Sequence, residues 1–155
     1  MKRILFVCFA NICRSPLAEG ITRKIAKESN LDIVVDSAAT HGTHERELPC
    51  NSSIKIAALH DIDISQIRAR QVKVTDIESF DYIVAMDRNN KKKLEDLGFK
   101  DIYLMGEFGG YSGKSVPDPY VLKDFDEDIK EIYEVYSMID TCVKDFILKV
   151  ENGSI

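Results

Sequence analysis

An α/β fold, a three-layer doubly wound sandwich around a central, mainly parallel four-stranded sheet, is what the order of apolar segments predicts. Three observations carry this. Short apolar runs alternate along the chain with segments of helical periodicity, the pattern of a layered α/β domain. The first run, Ile4-Leu5-Phe6-Val7-Cys8, is continuous rather than alternating, so its strand is buried on both faces, as strands of parallel sheets are. A long apolar stripe near the C-terminus supplies a covering helix. At 155 residues the chain predicts one domain spanning 1–155.

Taken in order, residues 4–8 form the first strand. Ser15-Pro16 opens a helix, with Ser15 as N-cap and Pro16 at the first helical position, and Leu17, Ala18, Ile21, Ile25 and Ala26 form its apolar face. Ile33-Val34-Val35 is a second strand that ends at Asp36-Ser37. His41 to Pro49 is a polar loop, and Ser52 to Leu59 a short helix. Tyr82 to Met86 is the third strand, followed by Asp87 and a charged helix, Asn89 to Leu97. Ile102 to Met105 is the fourth strand. Gly106 to Pro119 holds four glycines and two prolines and reads as a long loop. Phe125, Ile129, Ile132, Tyr136, Ile139, Val143, Phe146 and Val150 recur at steps of four and three, and Asp124 with Glu127 resembles a capping box. In a doubly wound sheet the site lies at the carboxyl ends of the strands, where Cys8, Ser37 and Asp87 fall.

Composition bounds the function. The net charge of -5 argues against a nucleic-acid partner, which favours a basic face. No apolar run approaches the roughly 20 residues of a membrane span. The run after Met1-Lys2-Arg3 is too short for a signal peptide. The expectation is a cytoplasmic protein without a membrane partner. Four cysteines are too few for a disulfide scaffold, so they read as thiols.

The chemistry concentrates in Cys8-Phe9-Ala10-Asn11-Ile12-Cys13-Arg14-Ser15. A strand-to-helix turn offers unpaired backbone N–H groups at the positive end of a helix dipole, a ready anion site. That setting also favours a thiolate at Cys8. Arg14 presents a planar fork that matches two phosphate oxygens. The Ser15 hydroxyl can donate to the sulfur. Asn11 is the non-glycine residue best suited to a left-handed backbone in a cupped loop. A nucleophile and an oxyanion clamp in one loop point to phosphoryl transfer onto sulfur.

With these residues in place, "CFANICRSPLAEG" resembles the signature of the low-molecular-weight protein-tyrosine phosphatases. The likeness extends to "DSAAT" at 36–40, "ARQV" at 69–72, "FDYIVAMDRNN" at 80–90 and "VPDPY" at 116–120. It implies that Cys8 is the nucleophile forming a cysteinyl-phosphate and that Arg14 binds the phosphoryl oxygens. Ser15 matches the hydroxyl that stabilises the thiolate, and Asn11 the residue that holds the loop through a network reaching Ser37. Asp118 matches the general acid and Tyr120 an aromatic flanking the substrate ring. The resemblance implies no metal and no cofactor. It also implies a phosphotyrosine-containing protein or peptide as substrate, with inorganic phosphate and other oxyanions as inhibitors. The general-acid role is also chemically sound, because a phenolate leaving group needs a proton donor.

The chain departs from the family pattern at several positions. Ala10 stands where many relatives have glycine, which requires a negative φ there. Thr43 occupies the place of a large aromatic at the pocket rim, Val121 that of a second tyrosine, and Ile67 that of a supporting histidine. Arsenate reductases of this fold need extra cysteines near residues 75–90, where this chain has none. Arginine phosphatases carry Thr at the position of Ile12. A redox-sensing phosphate-binding module is the remaining alternative: Cys8 and Cys13 lie five apart in one loop, and oxidation can join them. Cys142 reads as core. His41 and His44 lack partners at zinc-ligand spacing. Lys91-Lys92-Lys93 reads as a solvated helix face, and Tyr133 and Tyr136 as helix packing.

Overall fold

The computed structural model describes residues 1–119 and 129–155. Four parallel strands, β1 (Lys2–Cys8), β2 (Ile33–Ala39), β3 (Tyr82–Ala85) and β4 (Ile102–Leu104), form one sheet in the order β2-β1-β3-β4. Helices α1 (Arg14–Glu28), α2 (Asn51–Leu59), α3 (Asp76–Ser79), α4 (Arg88–Asp96) and α5 (Ile129–Glu151) flank the sheet, and a 3-10 turn spans Met105–Glu107. Every described pairing in the sheet is parallel, so the sheet is more uniform than expected.

The alternation along β1 sets the layers. Ile4, Phe6 and Cys8 point into a core with Leu17, Ala18 and Ile21 of α1, Ile56 and Ala57 of α2, and Ile132, Ile139, Val143 and Phe146 of α5. Leu5 and Val7 point the other way, with Ile83 and Ala85 of β3, Leu94 of α4 and Phe99. Residues 4–7 are wholly buried, as a central strand covered on both faces requires. The predicted C-terminal stripe is buried at Ile132, Tyr136, Ile139, Val143, Phe146 and Val150. Phe125 and the Asp124–Glu127 cap lie outside the described residues, as do Tyr120 and Val121. Cys142 is core, its thiol pushed up to about 12 by burial and by Asp145. Tyr136 is buried and stacks on His60, but Tyr133 is half exposed and does not pack as expected.

Most element boundaries lie within one or two residues of expectation, and two of the differences bear on the site. β2 continues to Ala39, because the parallel register with β1 runs on through Phe6↔Ser37 to Cys8↔Ala39. The polar Asp36 and Ser37 therefore sit within the strand. α1 starts one residue before Ser15, with Cys13 as N-cap. Ser15 does not cap the helix, since its hydroxyl is engaged by Cys8 and Asn11. Among the described residues no helix is long and apolar enough to cross a membrane.

The strand order places a switch point between β1 and β3. The chain leaves β1 for β2 on one side and returns to β3 on the other, which opens a crevice at the carboxyl ends of β1 and β3. The segment after β4 closes over that crevice. Val116 N donates to Met86 O at 2.9 Å, and Gly113 N to Gly106 O at 2.8 Å. A Cβ on Gly106 would stand 1.7 Å from Lys114 O, a backbone atom that cannot swing aside. Gly106→Ala is expected to lower stability by about 3 kcal/mol through overpacking, measured by urea unfolding. A loss within about 0.5 kcal/mol, the range of an ordinary surface change, would contradict this close approach.

Candidate active site

The loop between β1 and α1 is held from outside by its carbonyl groups. Thr40 N donates to Cys8 O at 2.9 Å and His41 N to Phe9 O at 3.0 Å. Cys50 N donates to Ile12 O at 2.7 Å, and Ser53 Oγ to Cys13 O at 2.9 Å. With these carbonyls turned outward, Asn11 N–H points inward at Cys8 Sγ, 3.3 Å away. Asn11 has φ 60°, the left-handed conformation expected of it, whereas Ala10 is not among the positive-φ residues, as its side chain requires.

Cys8 is a free, buried thiol. Its sulfur lies 3.0 Å from Ser15 Oγ. Asn11 Nδ2 donates to Ser15 Oγ at 2.8 Å and to Ser37 Oγ at 2.9 Å, so the expected network reaching Ser37 is present. It goes further than the sequence reading. Ser37 Oγ donates to Glu19 Oε1 at 2.6 Å, and Arg70 N donates to Asn11 Oδ1 at 3.1 Å. The Glu19 carboxylate is buried on α1 beside Arg23. Burial pushes its pKa up, while the Ser37 hydroxyl and Arg23 pull against that rise. Arg70 is itself fixed by Asp36 at 3.0 Å and by the buried Asp76 at 3.0 Å. The backbone of Arg70 thus holds Asn11 without a histidine at Ile67, which packs against the core.

Arg14 is 1% exposed although it carries a charge. Its Nη1 donates to Asp87 Oδ2 at 2.7 Å and to Val116 O at 2.9 Å. Its Nη2 stands 3.5 Å from Asp118 Oδ2. Burial disfavours the guanidinium charge, but Cys8, Asp118 and Asp87 together outweigh it and raise the pKa above the usual arginine value. Asp87 also caps α4, accepting from Asn90 N at 2.8 Å with its other oxygen. One carboxylate therefore fixes both the guanidinium and the start of a helix.

Cys8, Phe9, Ala10, Ile12, Cys13, Arg14 and Asp118 line one small cavity. The structure thus brings together a thiol, a guanidinium and an aspartate carboxyl group from positions up to 110 residues apart. Thr43 is exposed and lies outside that lining set. The aromatic surface beside the loop is built instead by Phe9, whose ring stacks on His41 with centroids 4.1 Å apart. Glu19, Arg70 and His41 were not read from the sequence as parts of the site, and Asp87 was given no role in it. Asp87 carried one signal, its place at the carboxyl end of a strand. Among the described residues no group of three or more His, Cys, Asp or Glu is arranged to hold a metal ion.

Two cysteines depart from the sequence reading. Cys13 and Cys50 form a disulfide, with Cα atoms 5.3 Å apart and 37 residues between them in sequence. The expected pairing of Cys13 with Cys8 is not the one present, and the cysteines are not all thiols. The reason is spatial. The N-terminus of α2 is bonded to Ile12 O, which brings Cys50 against the back of the loop.

The family of low molecular weight phosphotyrosine protein phosphatases matches residues 3–154. The low molecular weight protein-tyrosine-phosphatase YfkJ of Bacillus subtilis is 39% identical over 134 residues, covering 82% of this chain and 86% of that protein. PtpA of Staphylococcus aureus is 34% identical over 158 residues, covering 96% and 99%. Among solved structures, a protein tyrosine phosphatase of Entamoeba histolytica with Hepes in its active site superposes with a TM-score of 0.89. Its identity is 29%, and both chains are covered in full. The chain belongs to the low-molecular-weight protein-tyrosine phosphatase family.

Proposed function

We propose that residues 1–155 act as one metal-independent phosphatase domain that hydrolyses phosphotyrosine in proteins or peptides through a cysteinyl-phosphate on Cys8. The observation that carries this is the cavity shared by Cys8, Arg14 and Asp118, with Arg14 buried and anchored. Cys8 Sγ attacks phosphorus in line with the leaving oxygen. Ser15 Oγ and Asn11 N–H steady the sulfur's charge before attack and after it leaves. Arg14 and the loop gather the non-bridging oxygens, whose charge they compensate without rearrangement. The loop residues Phe9, Ala10, Ile12 and Cys13 enclose the phosphoryl group. Asp118 gives its proton to the phenolate and then takes one from the water that hydrolyses the thiophosphate. Tyr120 flanks the substrate ring, and inorganic phosphate or another oxyanion competes for the same loop. Ile12 offers an apolar surface in place of a threonine hydroxyl, which favours an aryl phosphate over a phosphorylated guanidinium.

The test is hydrolysis of p-nitrophenyl phosphate by reduced protein in EDTA, with acid quenching to trap a labelled phosphoenzyme on Cys8. Turnover with a trapped thiophosphate is expected, and inert reduced protein overturns the proposal. Asp118→Asn probes the proton. It is expected to lower kcat on phosphotyrosine by about 10²-fold, within the usual range for a general acid. The loss on p-nitrophenyl phosphate is smaller, because nitrophenolate leaves without full protonation. Equal losses on both substrates would remove Asp118 from that role.

A further inference from the structure

Cys13 belongs to two environments. It lines the small cavity with Cys8, and it packs with Cys50, Ala10, Ile12 and Ala69 behind the loop. Its sulfur can bond to only one partner, and in the structure that partner is Cys50, while Cys8 is free. The loop does not need this bond to keep its place, since Cys50 N and Ser53 Oγ already hold the carbonyls of Ile12 and Cys13. The disulfide is therefore an addition to a loop that is already fastened. The position of its two sulfurs suits the reduced Cys13 and Cys50 thiols to take oxidising equivalents from an oxidised Cys8.

We propose that Cys50 is a resolving thiol, so that Cys8, Cys13 and Cys50 form a relay that reduces a hydroperoxide and returns Cys8 to its free state. This rests on Cys8 being a reactive thiol, as the proposed mechanism also requires. The Cys8 thiolate attacks the terminal peroxide oxygen. The O–O bond breaks, water or an alcohol leaves, and Cys8 becomes a sulfenic acid. The Cys13 thiolate then attacks the Cys8 sulfur. The S–O bond breaks, the hydroxide leaves as water, and a Cys8–Cys13 disulfide forms. The Cys50 thiolate attacks Cys13 Sγ, the Cys8–Cys13 bond breaks, and Cys8 departs as a thiolate. The Ser15 hydroxyl and Asn11 N–H receive that thiolate, which makes Cys8 rather than Cys13 the leaving sulfur. In sum, one hydroperoxide is reduced, and the thiols of Cys13 and Cys50 supply two electrons and two protons.

The test uses full-length protein, reduced, freed of reductant and treated with one equivalent of hydrogen peroxide. The products are alkylated in acid and mapped by mass spectrometry beside a phosphatase assay. Trypsin cuts after Arg3 and Arg14 and after Arg46. Cys8 and Cys13 thus share one peptide, and Cys50 lies on another. In wild type the two peptides are expected to be joined through Cys13, Cys8 is alkylated, and activity returns without added reductant. Cys50→Ser keeps a good helix N-cap and an unchanged activity when reduced. After peroxide it is expected to accumulate the bond within one peptide and to stay at least tenfold less active until dithiothreitol is added. Cys8→Ser is expected to form the Cys13–Cys50 bond at least tenfold more slowly. The relay is overturned if Cys50→Ser recovers like wild type, or if Cys8→Ser oxidises at the wild-type rate. The disulfide map does not depend on turnover. A protein inert toward aryl phosphates but with this map would lose the phosphatase proposal and keep the relay.

Discussion

Cys8→Ser is expected to lower kcat on p-nitrophenyl phosphate by about 10⁴-fold or more, the scale on which a lost nucleophile acts. The exchange is nearly isosteric. The serine oxygen meets the same Ser15 hydroxyl and Asn11 N–H that now face the sulfur, so the loop has no reason to open. What changes is the proposed nucleophile. A hydroxyl stays protonated in this loop, and among the described residues no side chain is set to take its proton. Ser15 Oγ is occupied by Asn11, and Asp118 is paired toward Arg14. Binding of inorganic phosphate by the variant, measured by calorimetry, should stay within a few-fold of wild type, because Arg14 and its anchors are untouched. The melting temperature should hold as well. Loss of both turnover and phosphate binding would mean that the thiol supports the loop's shape, and that the kinetic result says nothing about attack. Residual turnover within a hundredfold of wild type would falsify the cysteinyl-phosphate route.

Much of this arrangement could be read from the chain, and what could not has physical reasons. β1 was legible because its burial on both faces erases the alternation that other strands show. Asn11 was legible because few residues accept a left-handed backbone, and the structure places it at φ 60°. Contacts within the loop follow from a spacing of a few residues. Contacts made across the sheet leave no such trace. Arg14 meets Asp87 73 residues later and Val116 102 residues later, and only the strand order β2-β1-β3-β4 brings them together. Asp36 and Ser37 looked like the end of a strand because they are polar. They are instead polar within β2, where one pairs with Arg70 and the other joins Asn11 to Glu19. The Cys13–Cys50 bond was hidden by the same kind of distance, since composition counts cysteines but does not place α2 against the loop.

Arg14→Lys should cost nearly as much as loss of the nucleophile, although it conserves charge. An effect of about 10³-fold in kcat is expected, which is about 4 kcal/mol of transition-state stabilisation. The reason lies in how the guanidinium is used. One nitrogen is spent on Asp87 and Val116 O, and this fixes the plane of the fork. The other terminal nitrogen, which faces Asp118 Oδ2 at 3.5 Å, is held in that plane to meet a phosphoryl oxygen when substrate binds. A lysine ammonium has three donors on a flexible stem and no plane. It can answer the Asp87 carboxylate or the phosphate, not both in a set geometry. The cost extends to the fold, because Val116 O then loses its buried donor, worth about 1–3 kcal/mol. Val116 also leads into the segment that carries Asp118, so slack there reaches the proposed proton donor two residues on. The expected pattern is therefore a large fall in kcat, a smaller change in KM, and a lower melting temperature. If Arg14 acted only as a point charge, lysine would keep kcat within a few-fold, and Asp87 would be needed to balance charge rather than to aim it. A paired Asp87→Asn variant separates these cases. Removing the anion while keeping an oxygen acceptor should cost kcat about tenfold if Asp87 aims the fork. If Asp87 only neutralises Arg14, the same change should strengthen phosphate binding, because a positive charge is then left uncompensated.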